Sequence, residues 1–153
     1  MQTLKRKKYK AKLFNAGSGQ FYGDNKKNFY NINSKIEPQS PYGVSKAAAY
    51  WLIKIYREKY DIYSCTGILF NHESPLRSKQ FVTKKIVSAL CKIKEGKQRK
   101  LFLGNLNAKR DWGHAKDYIK AMWLMLQKKS PNDYVIGTGK THSVKEFIKI
   151  AFE

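Results

Sequence analysis

Residues 40–70 read SPYGVSKAAAYWLIKIYREKYDIYSCTGILF, and this run decides the architecture. Ser40 followed by Pro41 is a helix start, because the serine oxygen can accept an otherwise orphaned N–H and the proline has no N–H to lose. Val44, Ala48, Trp51, Leu52, Ile55 and Tyr56 then recur at helical spacing, which predicts a helix reaching about Tyr60. Directly after it, Ile62 to Phe70 is short and largely apolar, the pattern of a strand buried on both faces of a parallel sheet.

Outward from this run the alternation continues. Upstream, Lys12 to Ala16 reads as a strand, GSGQFYG (17–23) as a Gly/Ser turn, and the polar stretch 24–39 as a surface loop. Downstream, the pattern predicts a helix over Phe81 to Lys94 and a short strand over Lys100 to Leu103. A helix over His114 to Lys128, a strand over Asp133 to Ile136 and a helix over Val144 to Phe152 complete it. Strands alternating with helices give an α/β class, most simply an open parallel sheet with right-handed crossovers covered by helices. Composition shows no internal linker, repeat or low-complexity block, so residues 1–153 read as a single domain. The chain starts almost on a sheet strand and stops inside a helix, and neither end reads as a natural boundary.

Thirty-one Lys and Arg against 11 Asp and Glu give a net charge of +20, the electrostatic footprint of a nucleic-acid binder if it is focused on one face. Apart from a cluster at Lys5 to Lys12 the charge is diffuse, mostly lysine, and no helix-turn-helix, RRM or zinc pattern accompanies it. A solvated surface explains it better than a nucleic-acid partner. No apolar run has membrane-spanning length and the first residues lack the apolar stretch of a signal peptide, so a cytoplasmic location without a membrane partner is expected. Cys65 and Cys91 have no His or Cys companions at metal-ligand spacing, so neither a disulfide framework nor a metal site is expected, and both read as buried thiols.

Chemistry concentrates in a few places. Tyr42 and Lys46 lie four residues apart in SPYGVSK and share a helix face, where a nearby ammonium favours phenolate over phenol and suits the tyrosine to act as a general base. Ser18 ends the first strand in a Gly-rich turn, and strand ends of parallel sheets are where such folds present reactive groups. Asn71, His72, Glu73 and Arg77 follow the end of the next strand. His114, His142, Trp51, Trp112 and Trp123 read as capping or packing residues.

Together SGQFYG, SPYGVSK, LFNHESP and RDWGHAKDY resemble the GDP-mannose 4,6-dehydratase branch of the extended short-chain dehydrogenase/reductases, from about Lys12 to the last residue. The resemblance implies a partial Rossmann-like sheet with part of a smaller substrate domain. It also implies an NADP-dependent lyase that oxidises the sugar at C4, eliminates water across C5 and C6, and returns the hydride to C6. By this resemblance Tyr42 is the base at the C4 hydroxyl, Lys46 holds the nicotinamide ribose, and Ser18 hydrogen-bonds the reacting oxygen. His72 and Arg77 correspond to NADP contacts, and Asn71, Lys85 and Arg110 to positions that hold GDP. The family's members are homo-oligomers, and the SPLR loop around Arg77 resembles one that meets a neighbouring subunit.

Two departures stand out. Gln20 occupies the position of the family's catalytic glutamate, and an amide cannot remove the C5 proton as a carboxylate can; Glu37 and Glu73 are the nearby acids in sequence. The family's Gly-rich dinucleotide turn has no counterpart: Gly17, Gly19 and Gly23 have the wrong spacing, and GTGKTH (137–142) lacks the first glycine of a P-loop, Tyr134 standing there. The expectation is a piece of a longer enzyme, weak or inactive alone. The alternatives are a related nucleotide-sugar reductase, which absence of the glutamate would suit, or epimerase, a non-catalytic assembly partner, and a basic nucleic-acid-binding module.

Overall fold

A computed structural model describes residues 1–3, 10–23 and 29–153. Most of the basic cluster beginning at Lys5, and the first part of the 24–39 loop, lie outside the described residues. The chain forms two compact units: residues 1–70 with 116–137, and residues 71–115 with 138–153.

The first unit is built on three parallel strands in the order β1 (Leu13–Ser18), β2 (Ser64–Leu69), β6 (Tyr134–Ile136). β1 and β2 pair from Leu13 with Ser64 to Ser18 with Leu69, and β2 pairs with β6 from Gly67 with Tyr134. All six residues of the central strand β2 are buried, as its unbroken apolar reading requires. The helix α1 (Pro41–Tyr60) joins β1 to β2, capped by the Ser40 hydroxyl, which accepts the Gly43 N–H at 3.0 Å. It ends at Asp61 in the left-handed region. Helix α3 (Ala115–Gln127) leads toward β6.

The face of α1 turned to the core differs from the stripe expected. Gly43, Ala47, Tyr50 and Ile53 are buried, whereas Val44, Trp51, Leu52 and Ile55 are exposed. Small residues bring the helix close to the sheet, and Tyr50 packs with Phe21, Tyr22, Ala47 and Ile68 in the core cluster. Trp51 is held edge-on against Tyr50 at 5.2 Å, while Trp123 on α3 is exposed instead of packed. Burial raises the Tyr22 and Tyr50 phenols above the ordinary tyrosine value and the Cys65 thiol above its own.

One ion pair crosses the interior of this unit. Asp133 accepts two hydrogen bonds from the Arg57 guanidinium, at 2.8 and 2.6 Å, and a third from the Thr66 N–H at 2.7 Å. Arg57 also donates to the Ser64 carbonyl at 3.0 Å, so the last turns of α1, the middle of β2 and the start of β6 meet at one carboxylate. The bond to Asp133 holds the guanidinium pKa above its usual value despite burial.

The second unit contains two short ribbons and two helices. β3 (Asn71–Glu73) runs parallel to β5 (Trp112–His114), β4 (Lys109–Arg110) runs antiparallel to β7 (His142–Ser143), and α2 (Val82–Lys94) packs with α4 (Val144–Phe152). α4 opens with a reciprocal capping box between Ser143 and Glu146, whose carboxylate is held below its ordinary pKa by the backbone and hydroxyl bonds to Ser143. The expected strand at 100–103 is absent. Leu101 and Leu103 do alternate inward, lining a groove of about 370 Å³ with Leu90, Ile93, Ile148 and Phe152, while Phe102 points out. The alternation is present without a partner strand, and the segment stays irregular. Cys91 is exposed, contrary to expectation, because it falls off the α2 face that buries Thr83, Ile86 and Ala89. Among the described residues no helix is long and apolar enough to cross a membrane.

Candidate active site

In the first unit the C-terminal end of β1 is the point of convergence. Ser18 is buried to 8% exposure and has extended backbone, so it can end the strand and cap the single 3₁₀ turn Gly19–Tyr22, its Oγ accepting the Gln20 N–H at 3.2 Å. Gly43, in the first turn of α1, lies against this turn: a Cβ there would come within 2.9 Å of the Gln20 carbonyl oxygen and 3.1 Å of the Pro38 Cβ. The absence of a side chain at Gly43 lets the residue after Tyr42 sit directly on the residue two beyond Ser18.

Lys46 fastens the same corner from the helix side. Its ammonium donates to the Ala16 carbonyl at 2.9 Å and lies 5.6 Å from the centroid of the Tyr42 ring. Tyr42 is 54% exposed, so its phenol is open to a ligand. A serine hydroxyl, a phenol and an ammonium are therefore gathered at one strand end, a set that can hold and deprotonate a hydroxyl group.

Gln20 is exposed at this corner and carries no carboxylate. Of the acids nearby in sequence, Glu37 is paired with Lys35 at the surface. Glu73, in the second unit, is committed differently: its Oε2 accepts the Thr83 hydroxyl at 2.8 Å and lies 3.2 Å from the Arg77 Nε. Arg77 in turn lies over the Phe81 ring at 3.5 Å. Glu73 thus ties the 74–81 turn to the start of α2.

The other expected binding residues all belong to the second unit. Asn71 and His72 lie on β3, in register with Trp112 and Gly113 of β5. Lys85, exposed on α2, donates to the Phe102 carbonyl at 2.9 Å. Arg110 is exposed on β4, in register with His142 of β7, and donates to the Lys109 carbonyl at 2.7 Å. Trp112 packs against Phe147 with ring centroids 5.5 Å apart, as a packing residue should. His114 closes β5 and is exposed.

The residues present fit the nicotinamide-ribose end of a dinucleotide better than its pyrophosphate. The glycines of segment 17–23 are filled by the protein itself: a Cβ at Gly17 would meet Thr66 Cγ2 at 2.7 Å, one at Gly19 the Phe70 ring at 3.0 Å, and one at Gly23 the Glu37 carbonyl. They are packing glycines, without an open cradle for phosphate. The turn at 138–140 is likewise occupied, the Thr138 and Gly139 N–H groups donating to the Asp111 carboxylate and the Lys140 N–H to the Thr138 hydroxyl. Among the described residues no group of three or more His, Cys, Asp and Glu side chains is disposed to hold a metal ion. Sequence reasoning missed Arg57 and Asp133, since isolated charged residues at element edges carry no spacing signal.

A family model described as GDP-mannose 4,6 dehydratase matches residues 1–153. The GDP-mannose 4,6 dehydratase of Dictyostelium discoideum is 51% identical over 144 residues, covering 94% of this chain and 40% of that protein. The human protein of the same name is 48% identical over 141 residues, covering 92% and 38%. This chain therefore spans about two fifths of the length of these curated relatives. Among solved structures, dTDP-glucose 4,6-dehydratase from Bacillus anthracis in complex with NAD superposes with a TM-score of 0.84 at 26% identity, covering 98% of this chain and 49% of that one. RMD from Pseudomonas aeruginosa complexed with NADPH gives a TM-score of 0.90 at 24% identity, covering 97% and 52%, a likeness of fold.

Proposed function

Because the chain belongs to the GDP-mannose 4,6-dehydratase family, we propose that it carries the proton-transfer corner and part of the sugar-nucleotide pocket of such a dehydratase. The observation behind this reading is the gathering of Ser18, Tyr42 and Lys46 at the end of β1. When bound, NADP supplies the hydride acceptor and donor of the reaction, with Tyr42, Lys46, His72 and Arg77 as the residues that would hold it. The Tyr42 phenol oxygen takes the proton of the C4 hydroxyl, the Ser18 hydroxyl orients that oxygen, and the Lys46 ammonium lies beside the Tyr42 ring. Asn71, Lys85 and Arg110 hold GDP-mannose by its nucleotide, arginine offering a planar fork to phosphate oxygens.

At the position where the family's glutamate would take the C5 proton this chain has Gln20, an amide. Together with the occupied glycine turns, this supports a chain that binds the sugar nucleotide and does not by itself complete the elimination. The test is calorimetric titration of the 153-residue chain with GDP-mannose, UDP-glucose and a non-specific RNA at several salt concentrations, plus incubation with GDP-mannose and NADP. Preferential binding of GDP-mannose, without a 4-keto-6-deoxy product, is expected. Steeply salt-dependent RNA binding without GDP-mannose binding would overturn the reading, and product formation would overturn the inactivity.

A further inference from the structure

Asp111 is buried to 8% exposure, and its carboxylate is saturated from one direction. The Thr138 N–H donates to both oxygens at 3.1 and 2.9 Å, the Thr138 hydroxyl donates at 2.8 Å and the Gly139 N–H at 2.9 Å. Gly139 has φ +77°, a conformation that L side chains rarely adopt. Successive N–H groups converging in this way form an anion seat. The GTGK stretch that mimics a phosphate loop in sequence thus holds an anion, and the anion is the protein's own.

The position of that anion matters because of its neighbours. Arg110, one residue before it, pairs with His142 in the β4–β7 ribbon, and Trp112, one residue after it, pairs with Asn71 in the β3–β5 ribbon. Asp111 is the joint between the two ribbons, and the turn it grips leads directly into β7. Lys109, Arg110, Lys140 and His142 are all exposed here, so the ribbon presents basic side chains on a backbone that Asp111 anchors.

We propose that Asp111 is a positioning residue: by filling the anion seat of Thr138 and Gly139 it fixes the β4–β7 ribbon and so aims Arg110 at the diphosphate of a bound nucleoside-diphosphate sugar. This inference rests on the role given to Arg110 under the proposed function. An amide at 111 would turn an NH₂ toward groups that are themselves donors, so Asp111→Asn breaks the seat while nearly conserving side-chain volume.

The experiment measures GDP affinity of the whole chain by calorimetry for wild type, Asp111→Asn, Arg110→Ala and the double variant. Asp111→Asn is expected to weaken GDP about tenfold, and the double variant to bind no more weakly than Arg110→Ala, because the first residue acts through the second. Thr138→Val is expected to weaken GDP about threefold, with Thr138→Ser restoring it; this pair decides if Asp111→Asn does not fold. Amide hydrogen exchange without ligand gives an independent reading. Residues 109–110 and 142–143 should exchange at least tenfold faster in Asp111→Asn, with 64–69 unchanged. Unchanged GDP affinity in Asp111→Asn, or losses that multiply in the double variant, would refute the inference. If wild type does not bind GDP, the role of Arg110 in the proposed function fails, and the exchange data alone decide whether Asp111 positions the ribbon: unchanged exchange rejects it.

Discussion

Replacing Asp133 with alanine is the perturbation whose size follows most directly from the structure. The carboxylate is 6% exposed and its partner guanidinium 15%, so the variant leaves a cation in the interior whose remaining hydrogen bond among the described residues is to the Ser64 carbonyl. Arg57 cannot escape by losing its proton. Breaking a buried pair in this way costs about 3–5 kcal/mol. The Thr66 N–H, on a fully buried residue, also loses its acceptor, which adds about 1–3 kcal/mol before relaxation. Since the two losses share one site and do not add fully, about 4–6 kcal/mol is expected. That is comparable to the whole stability of many small domains, about 5–15 kcal/mol. Urea titration followed by far-ultraviolet circular dichroism measures it. The double variant Arg57→Met/Asp133→Leu should recover about 2 kcal/mol or more by removing the stranded charge, and remain below wild type because Thr66 is still unpaired. A loss under about 1 kcal/mol for Asp133→Ala would show that water reaches this pair and that the interior reasoning is wrong.

Two further outcomes follow from the same contacts. Gly43→Ala should destabilise by about 1–3 kcal/mol through the crowded Gln20 carbonyl and Pro38, and should weaken binding of GDP-mannose, which a thermal melt and calorimetry report separately. The phenols of Tyr22 and Tyr50 are raised chiefly by burial, so the folded state resists their ionisation. Stability is retained below the ordinary tyrosine value of about 10 and falls as pH rises from there toward the folded values; Tyr22→Phe should flatten that fall in alkaline denaturation curves.

The parallel sheet was legible because β2 is apolar throughout and α1 begins with Ser-Pro, signals that depend on local sequence alone. The helix face was not. Spacing identified Trp51, Leu52 and Ile55 as one stripe, but the sheet received Gly43, Ala47 and Tyr50, since close approach favours small residues and periodicity weighs large ones most. The segment 100–103 had a strand's alternation, yet a strand requires a partner that no local pattern supplies. At the candidate site, Tyr42 and Lys46 were visible from their spacing, whereas the engagement of Glu73 depends on Thr83 on the following helix. The GTGK turn misleads for a similar reason: the pattern shows N–H groups free to bind an anion and cannot show that Asp111, more than twenty residues earlier, already occupies them.

The bond from Arg57 to Asp133 also sets a schedule. The two residues are 76 positions apart, and the third strand of the first sheet begins just after the acid, with residues 71–115 of the second unit encoded between β2 and β6. On a translating ribosome, at about 5–20 residues per second, Arg57 and the Thr66 N–H would wait roughly 4–15 s for their acceptor. During that interval α1 and β2 exist without the residue that locks them together, so this part of the unit closes only after Asp133 emerges.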